Sequence, residues 1–243
     1  MTSLSLSIVR AQVERHLPGA LTTYSRQQYE MALTGVAAID RETGGIPKGA
    51  LTQICAPVAA STGKTAVLYS ALAQRTARGE FCALIDAADC FDPISAGAAG
   101  VELARLLWVR CGAKCGMRPL EQVFKAADIL IQNGGFGVIA IDLGSVEQQL
   151  VKKIPLTTWF RFARVMEKLS TALLILVPFP AAQSCAALTF EFRGNEIRWR
   201  GSDIAANARV LSGVEFGAEV TRTRMRKPVQ GVRPAFIARA KWA

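Results

Sequence analysis

The sequence predicts an α/β fold, in which a mainly parallel, twisted sheet is flanked by helices and ends in antiparallel strands. Five short apolar runs alternate with helix-forming segments, which is typical of parallel strands buried on both faces. These runs span 51–56, 81–86, 106–111, 136–142 and 172–177. From residue 187 onward apolar and polar residues alternate instead, as they do in antiparallel strands. A chain of 243 residues is long enough for one well-cored domain with a small appendage.

The segment before the first strand divides into a helix and a turn-rich stretch. Residues 4–16 carry apolar side chains at helical spacing, and Pro18-Gly19 ends this predicted amphipathic helix. Residues 34–50 are rich in glycine and other turn formers. We therefore predict an N-terminal helical segment over 1–33 ahead of the core domain.

Helices are predicted between the apolar strands. They span 66–78, 95–103, 119–132 and 157–170. Thr157 and Thr158 are the expected N-caps of the last one. Its aromatic residues Trp159, Phe160 and Phe162 have the spacing of a helix face packed against a sheet, which we favour over stacking on bases. Near the C-terminus, 188–192 and 197–200 are predicted as two antiparallel strands.

Composition predicts a soluble, cytoplasmic protein without a membrane partner. The sequence has no apolar run of about 18 residues, and the N-terminus lacks the layout of a signal peptide. Six cysteines are spread over apolar stretches, so we expect reduced thiols in the core. Cys111 and Cys115 are spaced like a ligand pair, but His16 is the single histidine and no second pair accompanies them. A metal site there is not expected.

The segment Gly63-Lys64-Thr65 has the residues and the setting of a phosphate-binding loop. It follows a predicted strand and precedes a predicted helix, so backbone amides and a lysine would face an anion. The full pattern has a glycine five residues before Gly63, where this chain has Val58. Asp142 ends a later apolar strand and fits the carboxylate that holds Mg²⁺ or its water.

Charge is concentrated in the C-terminal part of the chain. The net charge is +10, and residues 193–243 hold eleven Arg and Lys against four Asp and Glu. Such a concentration favours a polyanion or an acidic protein as partner. A solvated basic face is the alternative.

Several segments, in the same order, resemble the RecA recombinase family. They are 34–40, 44–49, 82–87, 92–94, 100–101 and 220–227. The resemblance implies a RecA-like core over 34–243. It also implies that Gly63, Lys64, Thr65 and Asp142 bind ATP, with Thr65 and Asp142 at Mg²⁺. Arg224 and Arg226, alternating on a predicted strand, would contact the ATP of a neighbouring subunit or a protein partner.

Departures from the family pattern predict a degraded ATP site. The family's catalytic glutamate falls at Ala88, with Asp89 next to it but out of register, so no catalytic residue is assigned. The aromatic that stacks on adenine is replaced by Ser95. Either Val58 replaces the first loop glycine, or Ala56-Pro57 matches the family's Gly-Pro and two residues are inserted before Gly63. ATP with Mg²⁺ is therefore expected to bind weakly.

The segments that resemble the family's two DNA-binding loops, 143–156 and 178–187, are short. Lys152 and Lys153 in the first could contact phosphate or simply face water. These features leave three hypotheses for function. The first is an accessory protein of DNA repair and the SOS response, similar to ImuA-type proteins that assist translesion polymerases, with little or no ATP hydrolysis. Its partner would be a recombinase or translesion polymerase, with DNA second. The second is an active DNA-dependent ATPase that self-associates into filaments. The third is a nucleotide-independent inhibitor that docks on a recombinase or polymerase.

Overall fold

The computed structural model describes residues 6–16, 28–58, 62–111, 119–200, 210–225, 231 and 233–239. Its helices are α1 (Leu6–His16), α2 (Ala37–Thr43), α3 (Lys64–Thr76), α4 (Pro93–Ala98), α5 (Pro119–Asn133), α6 (Gln148–Lys152) and α7 (Leu156–Met166). Its strands are β1 (Met31–Ala32), β2 (Ile46–Pro47), β3 (Leu51–Cys55), β4 (Phe81–Asp86), β5 (Leu106–Arg110), β6 (Phe136–Asp142), β7 (Ala172–Val177), β8 (Leu188–Arg200), β9 (Val210–Thr223) and β10 (Ala235–Arg239). None of the described helices is long and apolar enough to cross a membrane.

The main sheet has eight strands in the order β10-β9-β8-β3-β7-β6-β4-β5. The strands from β8 to β5 in this order are parallel to their neighbours, whereas β9 is antiparallel to β8 and β10 to β9. The predicted fold class is therefore confirmed. The five predicted apolar strands are present, and two of them, β3 and β5, end one residue earlier than expected.

The C-terminal strand prediction is partly wrong. Segments 188–192 and 197–200 form the single strand β8 rather than two strands. The start of β8 pairs in parallel with β3, and its whole length pairs with β9. Where a break between two strands was expected, the pairing of β8 with β9 instead shifts register between Arg193 and Asn195. A bulge absorbs an extra residue without ending the ladder, so the strand continues.

Helix boundaries differ from prediction where a neighbouring residue fixes the start. Helix α7 begins after Pro155, so Thr157 and Thr158 lie in its first turn and are not its N-caps. Helix α4 begins earlier than predicted because the carboxylate of Asp92 accepts hydrogen bonds from the N–H groups of Ile94 and Ser95. Helix α2 was not predicted at all.

Two apolar layers cover the faces of the sheet. On one face α3 packs through Leu68 and Leu72, together with Phe190 of β8. On the other face α5 and α7 pack, and Trp159 and Phe162 are buried there as predicted. Phe160 is about half exposed, at 51%, so the expected packing does not include it. Of the described cysteines, 55, 82, 111 and 185 are buried free thiols and Cys90 is exposed; Cys115 lies outside the described residues.

Candidate nucleotide-binding site

The predicted phosphate-binding loop lies at the carboxyl end of β3. The strand ends at Cys55 and α3 begins at Lys64, with Gly63 at its N-cap in the left-handed conformation (φ 77°, ψ 5°). Glycine adopts this conformation without a steric cost. Because α3 begins at this end of the sheet, the free amides of its first turn lie where an anion would bind. Thr65 is exposed in the first turn, and Val58 is 47% exposed at the start of the loop.

Lys64 and Asp142 meet around one backbone segment. The Lys64 Nζ donates to the carbonyl oxygen of Gly144 over 2.7 Å, and the Gly144 N–H donates to Asp142 Oδ1 over 2.8 Å. A β-carbon added to Gly144 would lie 2.8 Å from Lys64 Nζ and 3.1 Å from Asp142 Oδ1. A side chain at this position would therefore require the Lys64 ammonium to move. Both charged groups were predicted from the sequence, whereas Gly144 was not, because its only signal is its position two residues after Asp142.

Burial shifts the titration of both charged groups. Desolvation lowers the pKa of Lys64, and the nearby Asp142 opposes this shift. Desolvation raises the pKa of Asp142, while the Gly144 N–H and Lys64 oppose it. Both shifts show that each charged form loses solvation at this edge. A hydroxyl and a carboxylate are ligands that Mg²⁺ accepts, so Thr65 and Asp142 fit the ion in their chemistry, and the ion's charge would offset the desolvation of Asp142.

The turn after β4 holds its acidic residues in structural contacts. Asp86 is buried and accepts hydrogen bonds from the N–H groups of Cys90 (3.1 Å) and Phe91 (2.9 Å). Asp89 has a positive φ of 54° and accepts two hydrogen bonds of 2.7 Å from Arg110, one on each carboxylate oxygen. Ala88 lies between them, exposed. The turn therefore presents the methyl group of Ala88 and the carboxylate of Asp89, which is already hydrogen-bonded to Arg110.

The position expected for the adenine-stacking aromatic has a different role here. The Ser95 hydroxyl donates to Asp92, the N-cap residue of α4. The start of α4 also contacts Tyr69, which is buried: its hydroxyl accepts from the Asp92 N–H, and its ring packs edge-on against Phe91 with the centroids 5.6 Å apart. Ser95 thus stabilises the start of a helix.

The two segments that resemble DNA-binding loops pack onto the core. Helix α6 lies in the first, and Val151 and Ile154 there are buried. Lys152 stands over the ring of Phe179 in the second segment, 6.0 Å from its centroid. Lys153 is exposed.

A buried amide ties the second segment to the phosphate-loop strand. The Gln53 side chain, on β3, accepts from the Ala182 N–H over 3.1 Å and donates to the Thr189 hydroxyl over 2.9 Å. The Gln53 side chain thus links β3 to the segment 178–187 and to β8.

Arg224, one of the two C-terminal arginines predicted to contact ATP, lies away from the phosphate loop. Thr223, the last residue of β9, pairs with Leu188, which in turn pairs with Thr52 near the start of β3. Arg224 therefore follows β9 at the amino edge of the parallel strands, opposite the loop. The prediction that it lies on the strand is wrong by one residue, because its N–H donates to the Ala187 carbonyl (2.8 Å) where β9 ends. Arg226 lies outside the described residues.

Phe216 of β9 is a further residue at the loop, and it was not predicted from the sequence. A β-carbon added to Gly63 would lie 2.6 Å from the Cγ atom of Phe216. The contact joins positions far apart in sequence, so no local pattern could have indicated it. The candidate site therefore unites Gly63, Lys64, Asp142 and Gly144, with Phe216 against its loop.

Comparison with known proteins agrees with this arrangement. Residues 10–155 match the family model of the RecA N-terminal domain. The chain is 30% identical over 145 residues to the protein RecA of Laribacter hongkongensis (strain HLHK9), an alignment that covers 57% of this chain and 39% of that protein. The chain thus matches about two fifths of the length of this curated relative. Gly63, Lys64, Thr65 and Asp142 fall within the family match, and β8 to β10 fall outside it.

Proposed function

The chain belongs to the RecA N-terminal domain family, and from this premise we propose that it is an accessory protein of DNA repair that acts through protein contacts, with little or no ATP hydrolysis. Membership makes it a recombinase-family protein. The accessory role, the weak ATP site and the partners are the parts that we propose.

The single observation that carries the proposal is the turn after β4. Hydrolysis of a terminal phosphate needs a group that orients the attacking water. Ala88 has no such group, and both oxygens of the adjacent Asp89 accept hydrogen bonds from Arg110. Loss of a positioned general base lowers the rate by about 10²–10⁴. We therefore infer a site that turns over ATP very slowly.

Nucleotide binding is proposed to persist in weakened form. Gly63 and the amides of α3 would contact the phosphates, Lys64 would bridge them, and Thr65 with Asp142 would hold Mg²⁺. A bound Mg²⁺ would supply neutralisation of the phosphate charge. Ser95 and Val58 remove contacts at the two ends of the ligand, which favours a weak complex.

The proposed partner is a protein, in the manner of ImuA-type proteins that assist translesion polymerases in the SOS response. The packing of 143–156 and 178–187 onto the core supports protein contact over DNA contact, because DNA-binding loops of this fold must be accessible. Three C-terminal arginines also have acidic neighbours: Arg193 pairs with Glu191, Arg198 with Glu215 and Arg233 with Glu219. A recombinase or a translesion polymerase is the candidate, and DNA is the second.

A second candidate function is an active, self-associating ATPase, and the position of Arg224 favours it. Thr52 and Cys55 are three residues apart on β3, which separates the two edges of the sheet by about 10 Å. Arg224 lies at one edge and Lys64 at the other. Any contact of Arg224 with a bound phosphate would therefore be made on another copy of the chain.

Phosphate release by the purified protein, with and without single-stranded DNA, separates the two candidates. We expect very slow or undetectable release under both conditions, and Lys64→Ala as a matched control should give the same background. DNA-stimulated turnover of about one per second, the low end of ordinary enzymes, would contradict the accessory role. Binding assays with a purified recombinase and a translesion polymerase then test the proposed partners directly.

A further inference from the structure

The hairpin of β8 and β9 has an open edge, because β8 runs past the end of its neighbour β3. Strand β8 pairs with β3 only as far as Glu191, opposite Cys55, and then continues to Arg200. This extension is about 30 Å long, and β9 pairs with it along one side. Among the described residues no strand pairs with its other side. Alternate residues of such an edge direct backbone N–H and C=O groups outward, where a further strand could pair with them.

The side chains at the end of this extension divide into an apolar face and a charged face. Ile197 and Trp199 alternate with Arg198 and Arg200, and successive side chains of a strand point to opposite faces. Ile197 is 51% exposed and Trp199 is 53% exposed, and both pair with apolar residues of β9. Large apolar side chains that are half exposed beside an open strand edge are typical of a surface that binds another chain.

The charged face leaves one arginine for an incoming chain. Arg198 donates to the carboxylate of Glu215 through Nε and Nη2. Glu196 lies on the same face and pairs with Glu215 across the hairpin. Arg200 is exposed at the end of the strand. Because Arg198 is already bound to a carboxylate, Arg200 is the cation that a further strand would meet. Opposite charges on adjacent strands are stabilising and like charges are destabilising, so an acidic side chain fits there.

We propose that the extension of β8 is a docking site for a partner protein, which adds an extended segment along the open edge. Hydrogen bonds between the two backbones hold the segment, and its alternate side chains contact the two faces. The segment that fits has apolar residues beside Ile197 and Trp199 and an acidic residue beside Arg200. This inference rests on the proposed function, in which the chain acts through protein contacts.

The placement of the side chains favours a protein over a nucleic acid. Single-stranded nucleic acids bind where aromatic rings stack on bases and cations follow the backbone in one groove. Trp199 and Arg200 project from opposite faces, so a base stacked on Trp199 lies on the face that lacks Arg200. Glu196 and Glu215 on the arginine face also repel phosphate. A protein strand, by contrast, has side chains on both of its faces.

The first test is a binding titration of the full chain with a fluorescein-labelled peptide in which leucine and glutamate alternate. The peptide has about nine residues, which matches the length of the extension. A control peptide has the same composition, with all leucines before all glutamates. Fluorescence anisotropy should show binding of the alternating peptide and at least about tenfold weaker binding of the control, because only alternation matches the two faces.

Variants of the two faces then locate the peptide. Trp199→Ala should weaken binding at least about tenfold, since aromatic anchors dominate interfaces of this kind. Arg200→Glu should weaken binding of the alternating peptide, and replacing the peptide's glutamates by lysines should restore it. Phe160→Ala and Arg164→Glu are matched controls, because they change an exposed ring and an exposed arginine on α7. Both should bind the peptide as the wild type does.

Backbone methylation of the peptide separates strand addition from docking through side chains alone, and it uses the unaltered protein. Two versions are methylated at alternate amides and differ by a shift of one residue. In a strand, one version blocks the N–H groups that face β8 and the other blocks those that face away. We therefore expect one version to lose binding and the other to retain it.

Three results would overturn the docking site. They are equal binding of the alternating and control peptides, wild-type binding by both Trp199→Ala and Arg200→Glu, and equal effects of the two methylated versions. Loss of single-stranded DNA binding without loss of peptide binding in these variants would assign the extension to nucleic acid instead. If the peptide results are as expected but neither a purified recombinase nor a translesion polymerase binds the full chain, the docking site stands and the partner of the proposed function is wrong. If such a protein binds the wild type and both variants equally, the proposed function stands and the docking site is wrong.

Discussion

Replacing Ala88 by glutamate should raise the rate of ATP hydrolysis. The side chain of Ala88 is exposed on the turn after β4, so a longer side chain displaces no packed neighbour. Substitutions at such positions change the free energy of unfolding by no more than about 0.5 kcal/mol. A positioned general base is worth about 10²–10⁴ in rate, or roughly 3–5 kcal/mol of activation free energy. Even an imperfectly oriented glutamate should therefore give about a tenfold gain.

Single-turnover phosphate release with protein in excess over ATP is the appropriate assay, because it separates the chemical step from weak binding. Asp89→Asn is the matched control. Arg110 and Asp89 form an exposed pair, with side chains 61% and 40% exposed, and solvent-exposed pairs of this kind contribute little to stability. We expect no change in rate from Asp89→Asn. If Asp89→Asn abolishes a measurable hydrolysis, Asp89 is the base. If Ala88→Glu binds the nucleotide and releases phosphate no faster than the wild type, the missing carboxylate does not explain the slow turnover.

Three further predictions concern binding and stability. Lys64→Ala should abolish binding of a fluorescent ATP analogue, whereas Lys48→Ala, which removes the exposed ion pair with Glu30, should leave it unchanged; equal binding by both would place the nucleotide elsewhere. Because burial raises the pKa of Asp142, the folded state binds more protons than the unfolded state between the two pKa values, so this group's contribution to stability falls as pH rises through that window. Asp142→Asn should therefore raise the melting temperature at neutral pH and weaken Mg²⁺-dependent nucleotide binding. Thermal scans at several pH values test the effect on stability, and a lower melting temperature would contradict it. Alanine substitution of the C-terminal basic cluster should weaken binding to the protein partner, and it should reduce the salt dependence of DNA binding by about one unit of log–log slope for each phosphate that is no longer bound; unchanged binding in a folded variant would identify a solvated face. The cluster consists of Arg222, Arg224, Arg226 and Lys227.

Most of the sheet could be predicted because its strands carry their own signal. A continuous apolar run such as 172–177 is buried on both faces, so composition alone indicates β7. Helix α2 has no such signal, since Ala37–Thr43 lies among turn formers and is only seven residues long. Its start depends on Asp40, whose carboxylate accepts from the Thr34 and Gly35 N–H groups. Such short elements form through contacts that periodicity does not record.

Some residues of the candidate site could likewise be predicted from local motifs, whereas others are placed by strand pairing between distant parts of the chain. Lys64 and Asp142 could be predicted because each lies at a fixed place in a local motif, after a loop glycine or at a strand end. Gly144 and Phe216 could not, because their roles depend on the pairing of β6, β8 and β9 across the sheet. The register that places Phe216 beside Gly63 includes a shift between Arg193 and Asn195. A register one residue different would turn that ring to the opposite face.

The buried amide of Gln53 has a mechanical consequence. It stands two residues before the end of β3 and hydrogen-bonds both Ala182 and Thr189. A partner that pulls 178–187 away from the core must break the bond to Ala182 and leave the Gln53 carbonyl oxygen buried without a donor. An unsatisfied buried group of this kind costs about 1–3 kcal/mol. Force applied to 178–187 would thus be transmitted through Gln53 to β3, the strand that precedes the phosphate loop.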